Sequence, residues 1–406
     1  MKVINKSKKA PKLRFQGFMD AWNLVGLNNI CEINPKNTEL PGEFIYIDLE
    51  SISQGTLIQT NTIQKESAPS RAQRLLHKGD VLFQTVRPYQ KNHYIYKEEL
   101  LMPTVASTGF AQLRSQKSSD YIYHLLYTPR FASEVSIRCT GSNYPAINSR
   151  ELSEIEVYVP SLKEQQKIAD FYSLLDRRIE KQKAKVEALQ EQKKGWLQKI
   201  FSQELRFKDE NGKNFPEWKK SPLKNLVDRI TRKNQNLEST LPLTISAQHG
   251  LVDQISFFNK TVASANLAGY YLLYKGEFAY NKSYSNGYPL GAIKRLEKYE
   301  KGVLSSLYIC FKAKEKVYGD FLNHYFESTA WHKEVSMISV EGARNHGLLN
   351  VSVNDFFDTI HYLPSFKEQQ KIAFFLNTIG NKLEKEKEKL EVLQQQKKGF
   401  MQQMFV

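Results

Sequence analysis

Ten residues stand almost twice in this chain, PSLKEQQKIA at 160–169 and PSFKEQQKIA at 364–373. The match runs on without a gap, from PSLKEQQKIADFYSLLDRRIEKQKAKVEALQEQKKGWLQKIF (160–201) to PSFKEQQKIAFFLNTIGNKLEKEKEKLEVLQQQKKGFMQQMF (364–405). A fixed repeat of this size within 406 residues means that any fold must satisfy one segment in two places. Upstream of each copy lies a longer, weakly similar region. Leu13-Arg14-Phe15 leading to Phe18 and Trp22 echoes Leu205-Arg206-Phe207 leading to Phe215 and Trp218, and Lys78-Gly79-Asp80 echoes Lys275-Gly276-Glu277. His124 and Glu134-Val135-Ser136 answer to His324 and Glu334-Val335-Ser336, and Gly141 and Asn148 to Gly342 and Asn350. The expected order is a variable region with an N-terminal basic arm (1–158), a constant helix (159–202), a second variable region (203–362) and a second constant helix (363–406).

The constant segment has the signals of a long helix. Proline precedes Ser161, and Ser161 with Glu164 forms the capping-box pattern that Ser365 and Glu368 repeat. Lys, Glu, Gln, Leu and Ala dominate from there on, and they are good helix formers. A heptad frame places Ile168, Leu175, Gln182, Leu189 and Trp196 at position a, with Tyr172, Ile179, Val186, Lys193 and Ile200 at d. In the second copy the a positions are Ile372, Ile379, Glu386, Leu393 and Phe400, and the d positions are Leu376, Leu383, Leu390, Lys397 and Met404. Such a stripe buries itself against a partner, and the other copy is the obvious one. The expected seam and docking residues are thus Ile168, Tyr172, Leu175, Ile179, Val186, Leu189, Ile372, Leu376, Ile379, Leu383, Leu390 and Leu393. Some 40 residues at about 1.5 Å each make a rod of roughly 60 Å, the length of a spacer. Apolar side chains outside the seam (Phe171, Leu174, Leu197, Phe374, Phe375) and the apolar end Phe400 to Val406 point to further helices docking from another protein.

Lys and Arg outnumber Asp and Glu by 58 to 43, a formal charge of +15 that favours a polyanionic partner such as nucleic acid. Both variable regions mix short β-rich runs with turns and a few helices. Strands are expected in FIYIDLESI (44–52), DVLFQTV (80–86), FAYNKSY (278–284) and SSLYICFKA (305–313), and helices at 121–127 and 320–328. An α/β domain with a mixed sheet is the reading for each. Their loops combine basic, amide and aromatic side chains, the chemistry that DNA reading requires: Arg and Lys neutralise phosphate or donate to guanine, while Asn and Gln pair with the adenine edge. The candidate DNA contacts are Arg87, Tyr89, Gln90, Lys91 and Asn92; Arg138, Ser142, Asn143 and Tyr144; Asn281, Lys282, Ser283, Tyr284 and Asn286; and Arg344, Asn345 and His346.

The sequence contains no dinucleotide fingerprint, no phosphate-binding GxxxxGK[ST] loop and no HExxH pair. Cys31, Cys139 and Cys310 are scattered, which suggests neither a disulfide framework nor a thiolate metal site, and a reducing cytoplasm fits. The start MKVINKSKKAPKLRF lacks the apolar run of a signal peptide, and no stretch suggests a membrane span. His124 and His324 read as packing residues, and Asp80 and Glu277 as turn residues. No catalytic residue and no metal ligand is assigned.

Two variable regions, each introduced by Leu-Arg-Phe leading to an aromatic pair and ended by Pro-Ser-x-x-Glu-Gln-Gln-Lys-Ile-Ala, resemble the specificity subunit of a Type I restriction-modification system along nearly the whole chain. The resemblance implies a non-catalytic subunit with two target-recognition domains, one for each half of a split double-stranded DNA site. It also implies two long antiparallel coiled-coil helices between them, in a pseudo-two-fold arrangement. Two methyltransferase subunits would dock on these helices and bind S-adenosylmethionine, and motor-nuclease subunits would supply ATP- and Mg-dependent translocation and cleavage, so this chain itself would hold no cofactor. Two other readings stay open at this stage: a DNA-modifying or DNA-cleaving enzyme with a cryptic active site, and a coiled-coil adaptor.

Overall fold

The computed structural model describes residues 9–37, 39–97, 99–260, 263, 266–285, 287–339 and 349–406. Chain contacts divide it into two units, Met1–Lys183 with Glu388–Val406, and Ala184–Lys387. Each unit therefore contains half of the long helix Leu162–Phe201 and half of the long helix Phe366–Met404.

The first unit has two four-stranded sheets. One is mixed, with strand order 61–64, 43–47, 104–107, 72–75 and a parallel pair matching Ile45 to Thr104. The other is antiparallel, in the order 32–33, 110–114, 81–84, 94–95. The second unit has an antiparallel sheet ordered 227–229, 309–313, 278–281, 292–295, together with the hairpin 243–246 with 250–253 and the antiparallel pair 271–274 with 301–304. The expected strands are present but shorter, and the two expected helices keep their length but start earlier, at Ser119–Leu125 and Gly319–Glu327. Each unit is α/β.

In both units the strand after the Leu-Arg-Phe lead pairs antiparallel with the strand just before a long helix, Asn23–Gly26 with Glu156–Val159 and Lys219–Pro222 with Ile360–Leu363. This brings the lead to the helix start, where the glutamate of the capping-box pattern waits. Glu164 is buried and takes Arg14 Nε and Nη2 on its two oxygens at 2.6 and 2.7 Å. Glu368 takes Arg206 in the same way at 2.9 and 3.1 Å and also accepts Trp218 Nε1. The capping box thus gives way to a forked guanidinium–carboxylate pair, which is stronger than a neutral cap. At the second helix a cap persists in part, because Ser365 Oγ accepts the Glu368 N–H at 3.4 Å.

The helices pack antiparallel within each unit. In the first, Phe171 meets Phe400 and Asp176 meets Lys397; in the second, Lys185 meets Glu386 and Trp196 meets Phe375. Of the twelve seam residues Ile179, Ile379 and Leu390 are half-buried and the other nine are buried. Three of the polar seam positions are ion-paired: Lys397 with Asp176 at 2.5 Å, Lys193 with Glu327 at 2.8 Å and Glu386 with Lys185 at 3.0 Å.

The apolar helix ends are not vacant, as the sequence had suggested. Met401, Met404 and Phe405 complete the core of the first unit, where the Phe405 ring meets Trp22, Tyr121 and Tyr172. Leu197, Ile200 and Phe201 complete the core of the second, and Phe201 meets Trp218, Phe321 and Tyr325. Each unit's core is thus closed by the tail of the helix whose start lies in the other unit. Phe171 and Phe375 are covered likewise, by Phe15 and Phe207 of the leads, whereas Leu174 and Phe374 stay exposed.

Candidate nucleic-acid interface

A turn builds the site in each unit. Gly79 and Gly276 sit at φ +92° and +90°, a conformation that glycine adopts without penalty, and the carboxylate that follows closes the turn on itself. Asp80 accepts the His77 N–H and also holds Gln112 and Arg114, and Glu277 accepts the Tyr274 N–H and holds Arg232. The turn role expected for these residues is what the structure shows. Each turn launches a buried strand, Val81–Gln84 or Phe278–Asn281, that delivers its last residues to the candidate loops.

In the first unit the loops at 87–92 and 138–146 come together. The Arg87 guanidinium lies over the Tyr144 ring at 4.3 Å, the Arg87 N–H donates to Pro145 O at 2.7 Å, and Val86 bridges to Ala146. Arg87 and Lys91 have φ of 53° and 55°, left-handed backbone that costs a non-glycine residue of order 1 kcal/mol. They bracket the single turn Pro88–Gln90. Arg87 Nε is buried with no hydrogen-bond partner, although Tyr89, Gln90, Ser142, Asn143 and Tyr144 around it are exposed. Arg138 differs from its neighbours: it is half-buried and bonded to the Glu134 carboxylate and carbonyl.

Behind this surface sits a buried polar frame. Gln84 donates to Val86 O and Gln90 Oε1 and accepts the Asn92 N–H, while the Gln84 N–H donates to His93 Nδ1 at 3.2 Å. The Tyr127 hydroxyl donates to the Lys91 and His93 carbonyls. Burial, helped by the Lys91 charge, lowers the His93 pKa to about 3, so the ring is neutral at pH 7 and accepts at Nδ1. Gln84 and Tyr127 escaped the sequence reading. A lone amide within the apolar run VLF of DVLFQTV was the available signal.

In the second unit Asn281, Lys282, Ser283 and Tyr284 follow the strand in the same way. The Leu349 N–H donates to Lys282 O at 3.0 Å, as the Ile147 N–H does to Thr85 O in the first unit. Lys282 Nζ turns to Val351 O, whereas Tyr284 is exposed. Asn281, Ser283, Tyr284 and Tyr288 face Phe257 and Gln248 across a cleft of about 270 Å³. Gly291 closes this loop at φ +76°, and a Cβ there would lie 2.1 Å from Asn281 O. Asn286, Arg344, Asn345 and His346 lie outside the described residues.

The repeated histidines pack. His124 is buried between Tyr123 and Tyr172, and burial lowers its pKa to about 3. Asp176 Oδ2 lies 3.8 Å from Nδ1, but Asp176 is matched by Lys397, so burial prevails. His324 bonds Glu327 and Asn377. Burial drives the Glu327 carboxyl upward, but His324 and Lys193 outweigh it and hold it at about 2. Among the described residues no group of His, Cys, Asp and Glu is placed to hold a metal, and no helix is long and apolar enough to cross a membrane.

With this geometry in place, residues 19–190 match the family described as the Type I restriction modification DNA specificity domain. Residues 19–190 are thus similar to a Type I DNA specificity domain. The specificity subunit of the MjaVIII Type I restriction enzyme of Methanocaldococcus jannaschii is 23% identical over 386 residues, covering 89% of this chain and 85% of that protein. The MjaIX specificity subunit of the same organism is 28% identical over 183 residues, which are 43% of this chain and 39% of that protein. The S subunit of a Type I restriction-modification system from M. genitalium shares the fold with a TM-score of 0.57 and 15% identity, over 98% of this chain and 99% of that one. The resemblance to Type I specificity subunits that the repeat suggested therefore holds. The curated relatives named here are specificity subunits, and the matched residues 19–190 include the loops around Arg87 and Tyr144.

Proposed function

We propose that the chain is the non-catalytic specificity subunit of a Type I restriction-modification system and reads a bipartite site on double-stranded DNA, each unit reading one half. The observation that supports this most is a repeated scaffold bearing unrepeated tips. Seven residues after the turn carboxylate, Arg87 stands in the first unit and Tyr284 in the second. A common frame with different donors and acceptors is what two half-sites of unlike sequence require.

The physics of reading divides into two parts. The formal charge of +15 draws the chain to the phosphate backbone with a strength that falls steeply with salt and holds no sequence information. Discrimination then comes from loop side chains on base edges, Arg to guanine O6 and N7 and the amides of Asn and Gln to theirs. Arg87 suits this role, because its guanidinium is braced against Tyr144 and so loses little freedom on binding.

The candidate contacts are the exposed and half-exposed members of the two loop sets. In this reading the long helices dock two methyltransferase subunits, which bind S-adenosylmethionine. Motor-nuclease subunits bind ATP and Mg, and the whole works in the cytoplasm. Methylome sequencing of the source organism with and without this gene tests the proposal. The expected result is one bipartite adenine-methylated motif that disappears with the gene, and an unchanged methylome would refute it.

A further inference from the structure

A buried amide of the first unit, Gln84, has a place in the core that packing does not explain. Gln84 is 1% exposed at the end of a strand otherwise made of Val81, Leu82 and Phe83, where an apolar side chain of equal size would serve burial better. Both ends of the amide are committed to the backbone of the loop: Nε2 donates to Val86 O at 2.8 Å and Oε1 accepts the Asn92 N–H at 3.1 Å. A carbonyl can only accept and an N–H can only donate, so these two contacts fix which end of the Gln84 amide is which.

That orientation has a consequence one residue further out. Gln84 Nε2 also meets Gln90 at 2.8 Å, and the atom it meets must be an acceptor, the Gln90 carbonyl oxygen. Gln90 is exposed at the tip of the turn Pro88–Gln90, between the left-handed Arg87 and Lys91. With its oxygen engaged inward, Gln90 has its NH2 group left to offer. A free glutamine reads adenine by giving one hydrogen bond and taking one, but a glutamine whose oxygen is turned inward to Gln84 presents its NH2 outward and so favours edges that carry acceptors and no donor, guanine O6 and N7 or thymine O4.

We propose that Gln84 is the positioning residue that sets the polarity of Gln90, and that Gln90 thereby reads an acceptor-bearing base edge in the half-site of the first unit. This rests on the reading of the chain as a bipartite DNA reader. Gln84 stays buried and acts on DNA only through the loop. In the second unit the equivalent position is Asn281, whose Oδ1 accepts the Ser283 N–H instead, so the device belongs to one half-site.

The test uses the full chain assembled with its methyltransferase subunits, and duplexes in which each base pair of the methylated motif is replaced in turn. The wild type should discriminate in both halves; if it discriminates in neither, the proposed function fails whatever Gln84 does. Gln84→Met, which keeps the volume and removes both polar ends, should lower discrimination at least about tenfold at one base pair of one half and leave the other half within about twofold. Gln84→Glu, which can only accept, should turn the Gln90 amide over and move preference at that same base pair toward an edge that donates, adenine N6 or cytosine N4. Unchanged discrimination in either assembled variant overturns the proposal, and so does equal loss in both halves. If neither variant assembles, Gln84 serves the core and not the loop, which overturns it as well.

Discussion

Arg14 and Glu164, 150 positions apart, form a forked ion pair that seats the Leu-Arg-Phe lead against the start of a long helix, and Arg206 with Glu368 forms it again in the second unit. Glu164 and Glu368 are almost wholly buried, so removing the guanidinium leaves an uncompensated charge. Arg14→Ala is expected to destabilise the first unit by about 3–5 kcal/mol, and Arg14→Met with Glu164→Leu by much less, because the pair is then replaced and not broken. Chemical unfolding of the full chain followed by a probe in each unit would check both the size and the locality.

The reciprocal closure of the cores leads to a second expectation. Phe405→Ala removes a ring that touches Trp22, Tyr121 and Tyr172, and should cost about 3–5 kcal/mol in the first unit. Phe201→Ala should do the same to the second unit, around Trp218, Phe321 and Tyr325. Hydrogen exchange should show amides near Tyr121 loosened by the first substitution and amides near Phe321 by the second.

Acid should unfold the chain partly through its buried histidines. Burial lowers His93 and His124 to about 3 and His361 to about 4, whereas unfolded histidine titrates near 6.5. The neutral form is favoured by folding, so this stability is complete above about pH 6.5 and is lost as pH falls toward the folded values, at about 1.4 kcal/mol per pH unit for each histidine. The ring nitrogens of His124 have no hydrogen-bond partner, which makes His124→Phe the cleanest substitution. Unfolding free energy measured between pH 7 and 4 should fall less steeply in this variant, by the slope of one proton.

On DNA, Arg87→Ala should weaken recognition of one half-site by about 1–3 kcal/mol and leave the other unchanged. Competition binding with duplexes altered in one half at a time reads this directly. Equal loss for both halves would mean that Arg87 contributes only phosphate attraction.

What the sequence made legible was whatever it stated locally or twice. The seam residues from Ile168 to Leu393 follow from a heptad pattern that each helix carries within itself, and the glycine turns before Asp80 and Glu277 follow from three adjacent residues. Glu164 was misread because its neighbour Ser161 offered a sufficient local partner, while the true one, Arg14, is made adjacent only by the pairing of Asn23–Gly26 with Glu156–Val159. Phe405 looked unfinished for the same reason, since its cover comes from Trp22 and Tyr121. The loops were marked by composition, but the stacking of Arg87 on Tyr144 and the grip of Gln84 on Gln90 depend on strand ends that no periodicity encodes.

The order in which a ribosome delivers these residues bears on when each core can form. The second unit, Ala184–Lys387, is continuous in the chain and can fold as soon as it has emerged. The first unit is synthesised earlier yet needs Met401, Met404 and Phe405, the last of its core residues to be made, so its strands must wait through the synthesis of some 200 further residues with Trp22 and Tyr121 uncovered. During that interval the first half has the exposed apolar surface that chaperones bind, and its native contacts span nearly the whole chain. Of the two units, the one synthesised first has the core that is completed last.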